Sequence, residues 1–588
     1  MPHHNACPIH YQVQLHDVHA HQYRVTLTIA HPAARQRLSL PVWIPGSYLV
    51  REFAKNLQGL QASQGEQALP VRQVSKHQWD VECQTDTPLV LQYEVNAYDT
   101  SVRTAWLDQR RGFFNGTSLL LRVHGQEQLQ HRLHMQTSSQ VPDWQLATGL
   151  TAIAIDSNGF GTYAAEHYDE LVDCPVEMGV FWSGTFTAHG IPHRFVVAGA
   201  PDSFDAERLL RDTQKICETE IDFWQTAPYS SYVFMLNVTH DGYGGLEHSN
   251  STALICSRAD LPRIGVNKAS DGYIQLLGLI SHEYFHTWNV KRLRPAELVP
   301  YNYDQENYTE LLWFFEGFTS YYDDLLLRRA GLIDDATYLK LITKTINQVQ
   351  QTPGRQVQSV AQSSFDAWVK YYRQDENTAN ATVSYYTKGA LVALCLDLKL
   401  RQEGQTTLDA VMRGLWQRCQ GGAMTQGDVL AVLQQLTARS WDAEIQAWVH
   451  GTQELPLLAL LAAHGVTAQA DTPAPAQALG LRVQENHSVQ IKQVLRGGLA
   501  EQAGLMPGDE WYGIELPDNL HTPSWRLTKL EELALYVRQG TERITALVSR
   551  DRQLLALPLM LPAAQAQAVS NYQLVVSNPG ALEHWLNG

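Results

Sequence analysis

Residues 273–295 read YIQLLGLISHEYFHTWNVKRLRP. The run has no internal proline, Ser270 and Asp271 precede it as N-caps, and Lys291, Arg292 and Arg294 stand before Pro295. That pattern predicts one helix running toward the proline. On a helix, His282 and His286 are four steps of about 100° apart, so both imidazoles leave one face a turn apart. Two nitrogens can then grip one metal ion. Glu283 projects about 100° to the side, where it can reach a water on the metal instead of the metal itself. With 23 histidines in the chain, His-Glu-x-x-His arises by chance about 0.05 times in this length.

A catalytic zinc site needs a third protein ligand and an open position. The candidate is Glu316 in NYTELLWFFEGFTSYYDD, a second helical segment, where Trp313, Phe314, Phe315 and Phe318 flank the carboxylate. Burying such a group among rings is costly unless something neutralises it, and a divalent cation does so. Ser320, one turn on, is a candidate to hydrogen-bond a ligand.

Outward from the motif, composition is that of an ordinary globular protein: 588 residues, 44% hydrophobic and 18% charged. The chain is too long for one core. A net charge of -16 argues against a nucleic-acid binder, which needs clustered Lys and Arg. No 18-residue apolar stretch occurs, so no membrane span is expected. The first residues lack the charged segment and apolar run of a secretory signal. The seven cysteines are scattered without CxxC spacing, which reads as reduced thiols in a cytoplasmic protein.

Residues 1–175 alternate apolar and polar side chains in short runs such as YRVTLTIAH and PLVLQYEVNAY, which predict a β-sandwich-like domain. From about residue 205 the period becomes helical, and residues 272 to about 465 are dominated by helices. DTPAPAQALG marks a boundary. Beyond it come strands, one helix in LTKLEELALYVRQG, and a hairpin around SRDRQ. The loop GYGGLEHSN raises a separate possibility. Gly244 and Gly245 allow a substrate main chain to lie along a strand edge, and Glu247 can then meet its ammonium group. An ordinary glycine-rich turn is the competing reading. His248 reads as a loop residue, and Lys291, Arg292 and Arg294 as partners of the helix C-terminus and nearby carboxylates.

HEYFHTWNVKRLRP, with FFEGFTSYYDD downstream and GGLEHSNS upstream, resembles the glycyl aminopeptidase family of gluzincin zinc metallopeptidases, and WIPGSYLVREF is similar to the family's N-terminal region. The resemblance implies a multidomain α+β chain: an N-terminal β-rich domain (1–175), a thermolysin-like, mainly helical catalytic domain (176–468), a C-terminal PDZ domain (469–565) and a tail (566–588). It implies one zinc ion on His282, His286 and Glu316, with Glu283 as general base. YTKG is similar to the YxKG element at which related aminopeptidases place an oxyanion-stabilising tyrosine, here Tyr386, with Tyr385 one position away. GGLEH is similar in placement to the GxMEN element of aminopeptidase N relatives, but has Leu and His where that element has Met and Asn. ALGLR stands in place of a PDZ carboxylate loop, so Leu479, Gly480 and Leu481 are expected to hold a peptide terminus or to pack within the chain. The expected substrates are peptides with small N-terminal residues, glycine or alanine. An endopeptidase of the same mechanism and a PDZ scaffold with a vestigial metal site are the alternatives.

Overall fold

The computed structural model describes residues 7–516, 524–562 and 571–587. Two compact units emerge: Met1–Tyr308 with Tyr322–Ile333 and Cys419–Met424, and Thr309–Tyr321 with Asp334–Arg418 and Thr425–Gly588. The helix Leu312–Arg329 contributes to both.

In the first unit, strict alternation does what period two demands. Ile9, Tyr11, Val13 and Leu15 are buried, and Tyr23, Val25, Leu27 and Ile29 face the same way on the antiparallel neighbour, with Tyr11 opposite Leu27. These strands sit inside an eight-stranded sheet, beside which lie two four-stranded sheets. Three buried tyrosines fix the turn at the centre of this core. Tyr93, Tyr168 and Tyr11 donate to the carbonyls of Leu119, Leu120 and Leu121 at 2.9, 2.8 and 2.6 Å. Each ring buries apolar area while its hydroxyl satisfies a carbonyl that has left the sheet.

A five-stranded sheet follows, in the order Trp182–Ala188, Ile191–Ala198, Tyr232–Thr239, Ser251–Ser257, Gly244–Glu247. The short strand Gly244–Glu247 is its edge, antiparallel to Ser251–Ser257. The helices Ala206–Trp224 and Asp271–Phe285 pack on each other, and the second also packs on the strands Gly244–Glu247 and Ser251–Ser257. That second helix starts as its sequence predicts, with the Ser270 side chain accepting from the Tyr273 N–H. It stops sooner than expected. His286 is its C-cap, and the chain does not continue as a helix toward Pro295. The imidazole of His286 donates from Nδ1 to the Asn289 carbonyl at 2.8 Å, and Val290 turns to φ 125°. These local bonds fold residues 287–293 back under the helix end, where Arg292 donates to the Thr287 carbonyl at 3.1 Å.

The second unit is helical in its first part, including Asp335–Gln350, Tyr385–Glu403 and Gln426–Thr437. Its C-terminal module is a six-stranded sheet with a separate core that includes Ile491, Trp511, Ile514, Ile544 and Val548. The module is docked on the helical part through Asn380, which donates to the Val494 carbonyl at 2.9 Å and accepts from the Arg496 N–H at 2.8 Å. One expectation is corrected here. Residues 566–570 lie outside the described residues, but those that follow are no tail. Asn571–Val576 pairs antiparallel with Val466–Asp471, and the helix Pro579–Leu586 buries Leu582, Trp585 and Leu586. The apolar spacing of that last helix explains why it packs. Among the described residues no helix is long and apolar enough to cross a membrane.

Candidate active site

The two histidines are oriented from behind. Asp323 receives the Nδ1–H of His282 at 2.9 Å, and the Asn289 carbonyl receives that of His286 at 2.8 Å. A carbonyl can only accept, so Nδ1 of His286 carries the proton, and the carboxylate selects the same tautomer for His282. Both Nε2 atoms then present lone pairs, and they lie 3.1 Å apart. Two lone pairs facing each other repel unless a cation lies between them. Glu316 precedes Asp323 by two helical turns, hence on the same face. It is 2% exposed, and His282, His286 and Glu316 each offer a ligand atom within 4.8 Å of the others. The donor chemistry, two neutral imidazoles and one carboxylate, fits zinc. A second group of the same compactness, Glu247, Glu283 and His286, shares His286 with the first.

Behind Asp323 lies a carboxyl that no motif announced. The Ser281 hydroxyl, with a single hydrogen to share, lies 2.9 Å from Glu220 Oε1 and 3.0 Å from the Asp323 carbonyl oxygen. Burial pushes the Glu220 carboxyl well above the usual carboxylate range. Asp323 takes the place beside His282, a candidate metal ligand, for which the sequence offered Ser320 as a candidate. The helical signal was present, since Asp323 stands two turns beyond Glu316.

The edge strand Gly244–Glu247 forms the opposite wall. His248 N–H donates to the Ser251 carbonyl at 3.0 Å. Antiparallel alternation then turns the backbone groups of Glu247 and Gly245 toward the free edge. A Cβ on Gly245 would collide with the Glu283 carboxylate, so the strand backbone lies directly against the general-base candidate. Gly46, at φ 89° in the WIPGSY turn, stands against the Glu247 carboxylate in the same way. Nothing local in WIPGSYLVREF marks this contact. Glu247 is 4% exposed, and its Oε1 has no hydrogen-bond partner among the described residues. An orphaned, buried carboxylate oxygen beside a strand edge is a place for a cation.

Asp173 pins the loop that follows. It accepts from Ser249 N–H at 2.9 Å and Oγ at 2.5 Å, pairs with Lys291 at 2.6 Å, and stands 3.3 Å from His248 Nδ1. Burial raises its carboxyl, but Lys291 and His248 outweigh burial and hold it well below the usual carboxylate range. Lys291 therefore serves a carboxylate and Arg292 the helix end, and His248 faces Asp173.

The two candidate tyrosines differ in access. Tyr385 is 0% exposed, whereas Tyr386 is half-buried. Burial and the nearby Glu316 carboxylate hold the Tyr386 phenol well above its ordinary pKa of 10.0. In the C-terminal module, Leu479, Gly480 and Leu481 are buried, and the Gly480 N–H already donates to the Gln477 carbonyl at 3.0 Å. A cavity of about 580 Å³ lies beside them, lined by Gly480, Leu481, Arg482 and Gly498 with Arg355.

Comparison with known proteins bears on this geometry. The peptidase M61 N-terminal domain matches residues 10–180, and M61 glycyl aminopeptidase matches residues 275–392. No curated protein matches the chain. Among solved structures, an aminopeptidase N family protein from Idiomarina loihiensis is 38% identical, with 99% of this chain and 100% of that one covered and a TM-score of 0.92. An M1 zinc metallopeptidase from Deinococcus radiodurans is 14% identical over 76% of this chain and 94% of that one, with a TM-score of 0.49. Since the first of these likenesses runs the length of the molecule, and the matched family region 275–392 contains both histidines, Glu283 and Glu316, the chain belongs to the M61 glycyl aminopeptidase family and is a metallopeptidase of the aminopeptidase kind.

Proposed function

We propose that the protein is a zinc-dependent aminopeptidase that removes small residues, glycine or alanine, from peptide N-termini. The observation that carries this reading is the pair of converging Nε2 atoms, 3.1 Å apart, with Glu316 within reach of both. His282, His286 and Glu316 would hold the ion. Zinc bound there supplies Lewis-acid polarisation of the scissile carbonyl and a water of lowered pKa.

The remaining work falls to side chains of this protein. Glu283, 5% exposed, takes the proton of the attacking water and returns it to the leaving amine. Its position against Gly245 lets a peptide laid along the strand edge bring its first amide to that carboxylate. Tyr386, protonated at neutral pH, donates to the developing oxyanion. Tyr385, fully buried, stays in the core. Glu247 receives the substrate ammonium on the oxygen left without a partner. Because the Gly46 backbone crowds that carboxylate, little width remains for a side chain beside the ammonium, which favours glycine and alanine.

The C-terminal sheet is proposed as the PDZ module. Its Asn380 clamp supports intramolecular packing, and the Gly480 amide used by its own turn counts against simple carboxylate capture by that loop. The unpaired state of all seven cysteines fits a reducing compartment such as the cytoplasm. The test is hydrolysis of glycyl-p-nitroanilide and of free against N-acetylated glycyl peptides, with metal measured by mass spectrometry. Zinc near one per chain, chelator-sensitive cleavage and no cleavage of acetylated peptides are expected. Equal cleavage of acetylated peptides would end the aminopeptidase reading.

A further inference from the structure

We propose that Arg103 binds the C-terminal carboxylate of short substrates, so that free dipeptides and tripeptides are the preferred class; this rests on the aminopeptidase reading above. Arg103 comes from the N-terminal β-rich part of the first unit, yet its Nη2 donates to the Gly245 carbonyl at 3.2 Å. Its Nη1 lies 3.8 Å from where a Cβ on Gly244 would be. The guanidinium thus caps the Gly244 end of the edge strand, the end away from Glu247.

Three observations make this more than a stray surface arginine. The loop that bears it is clipped on both sides, because Asn115 Nδ2 donates to the Val102 carbonyl at 2.7 Å and to that of Thr104 at 3.3 Å. The Nε of Arg103 is buried without a hydrogen-bond partner, and among the described residues the side chain makes no ion pair. A half-buried guanidinium without an acid is costly unless a ligand supplies one. Third, the polarity fits. A peptide whose ammonium meets Glu247 and which pairs antiparallel with the strand runs its C-terminus toward Gly244. Glu283, against Gly245, then faces the first peptide bond.

The spacing selects length. Glu247 and Gly245 are separated by about 7 Å of extended strand, and Gly244 adds about 3 Å. A dipeptide or tripeptide spans about 7 to 10 Å from ammonium to carboxylate, so both ends can meet opposite charge at once. A longer peptide places neutral backbone at Arg103 and gains less.

The test compares kcat/KM for alanyl-alanine and trialanine with their C-terminal amides, in the wild type and in R103Q and R103K. Wild type is expected to favour the free acids by about tenfold or more, the worth of one charge-assisted hydrogen bond. In R103Q that acid-to-amide ratio falls to about one, and R103K keeps part of it. A wild-type ratio of one overturns the proposal, as does an R103Q that loses acid and amide alike. Should R103Q fail to fold, the wild-type ratio decides. Cleavage of N-acetylated peptides sinks the aminopeptidase reading separately, because that result concerns the other end of the substrate.

Discussion

The helix Asp271–Phe285 and the strand Gly244–Glu247 carry opposite walls of the proposed site, and they are built by opposite means. The helix sets its two imidazoles by its own period, and one of their orienting partners, Asn289, is only three residues beyond His286. The strand is shaped by distant chain: Gly46 and Arg103 precede it by well over a hundred residues and still reach its side chains and carbonyls. The contrast teaches that the candidate reactive groups are encoded locally, whereas the groups proposed to choose the substrate are encoded by how the N-terminal part folds onto the strand. Damage to the helix wall should therefore remove turnover. Damage to the strand wall should change which peptides are turned over.

The largest expected effect is at Glu283. E283Q should lower kcat by about a thousandfold, as loss of a general base does, while metal content by mass spectrometry stays at the wild-type level. If E283Q also empties the site of metal, Glu283 belongs to the ligand set and the division of labour is wrong. Next comes the strand wall. E247Q should reduce kcat/KM for free N-termini by about a hundredfold, the cost of leaving a charged partner unpaired. G46A should weaken the same substrates by a smaller factor by pushing the carboxylate aside. A G46A enzyme with unchanged discrimination between glycyl and leucyl substrates would sever the link between this turn and selectivity.

D323N probes the helix wall from behind. Loss of the carboxylate on His282 Nδ1 should weaken metal affinity by about 10- to 100-fold, read by competition with a chromogenic chelator. The smallest effect concerns pH. Burial pushes His193 from its ordinary 6.5 down to about 4. Its Nδ1 donates to the Ile191 carbonyl and its Nε2 accepts from the Tyr284 hydroxyl at 2.9 Å, so the sheet meets the helix carrying the candidate metal ligands at a neutral imidazole. Above pH 6.5 both folded and unfolded states leave this group neutral; as pH falls toward 4 the unfolded chain binds the proton first, and stability drops. Urea midpoints between these pH values should fall less steeply in H193Q. Parallel slopes would show that His193 does not control the acid limb.

Much of the candidate site was legible because its signals are short in range. Helical period alone put His282 and His286 on one face, and the aromatic surroundings of Glu316 announced a carboxylate in need of a cation. The end of the helix was not legible. Nothing in TWNVKR forbids helix, and it is the His286 bond to the Asn289 carbonyl that turns the chain. The last residues were misread as a tail because a six-residue strand has meaning only beside its partner, Val466–Asp471. Asp323 was within reach of helical arithmetic, whereas Glu220 belongs to another helix and nothing local marks it.

The sequence by itself determined that the two candidate imidazoles share a helix face with the candidate base beside them, and that the first sheet alternates, since each follows from a fixed rise and rotation per residue. Only the tertiary structure decided that Gly46 backs Glu247, that Arg103 caps the strand and that Asp173 ties Ser249 to Lys291. Those contacts join segments whose separation along the chain carries no periodic signal; they exist because burial of the large N-terminal core fixes the loops at its rim.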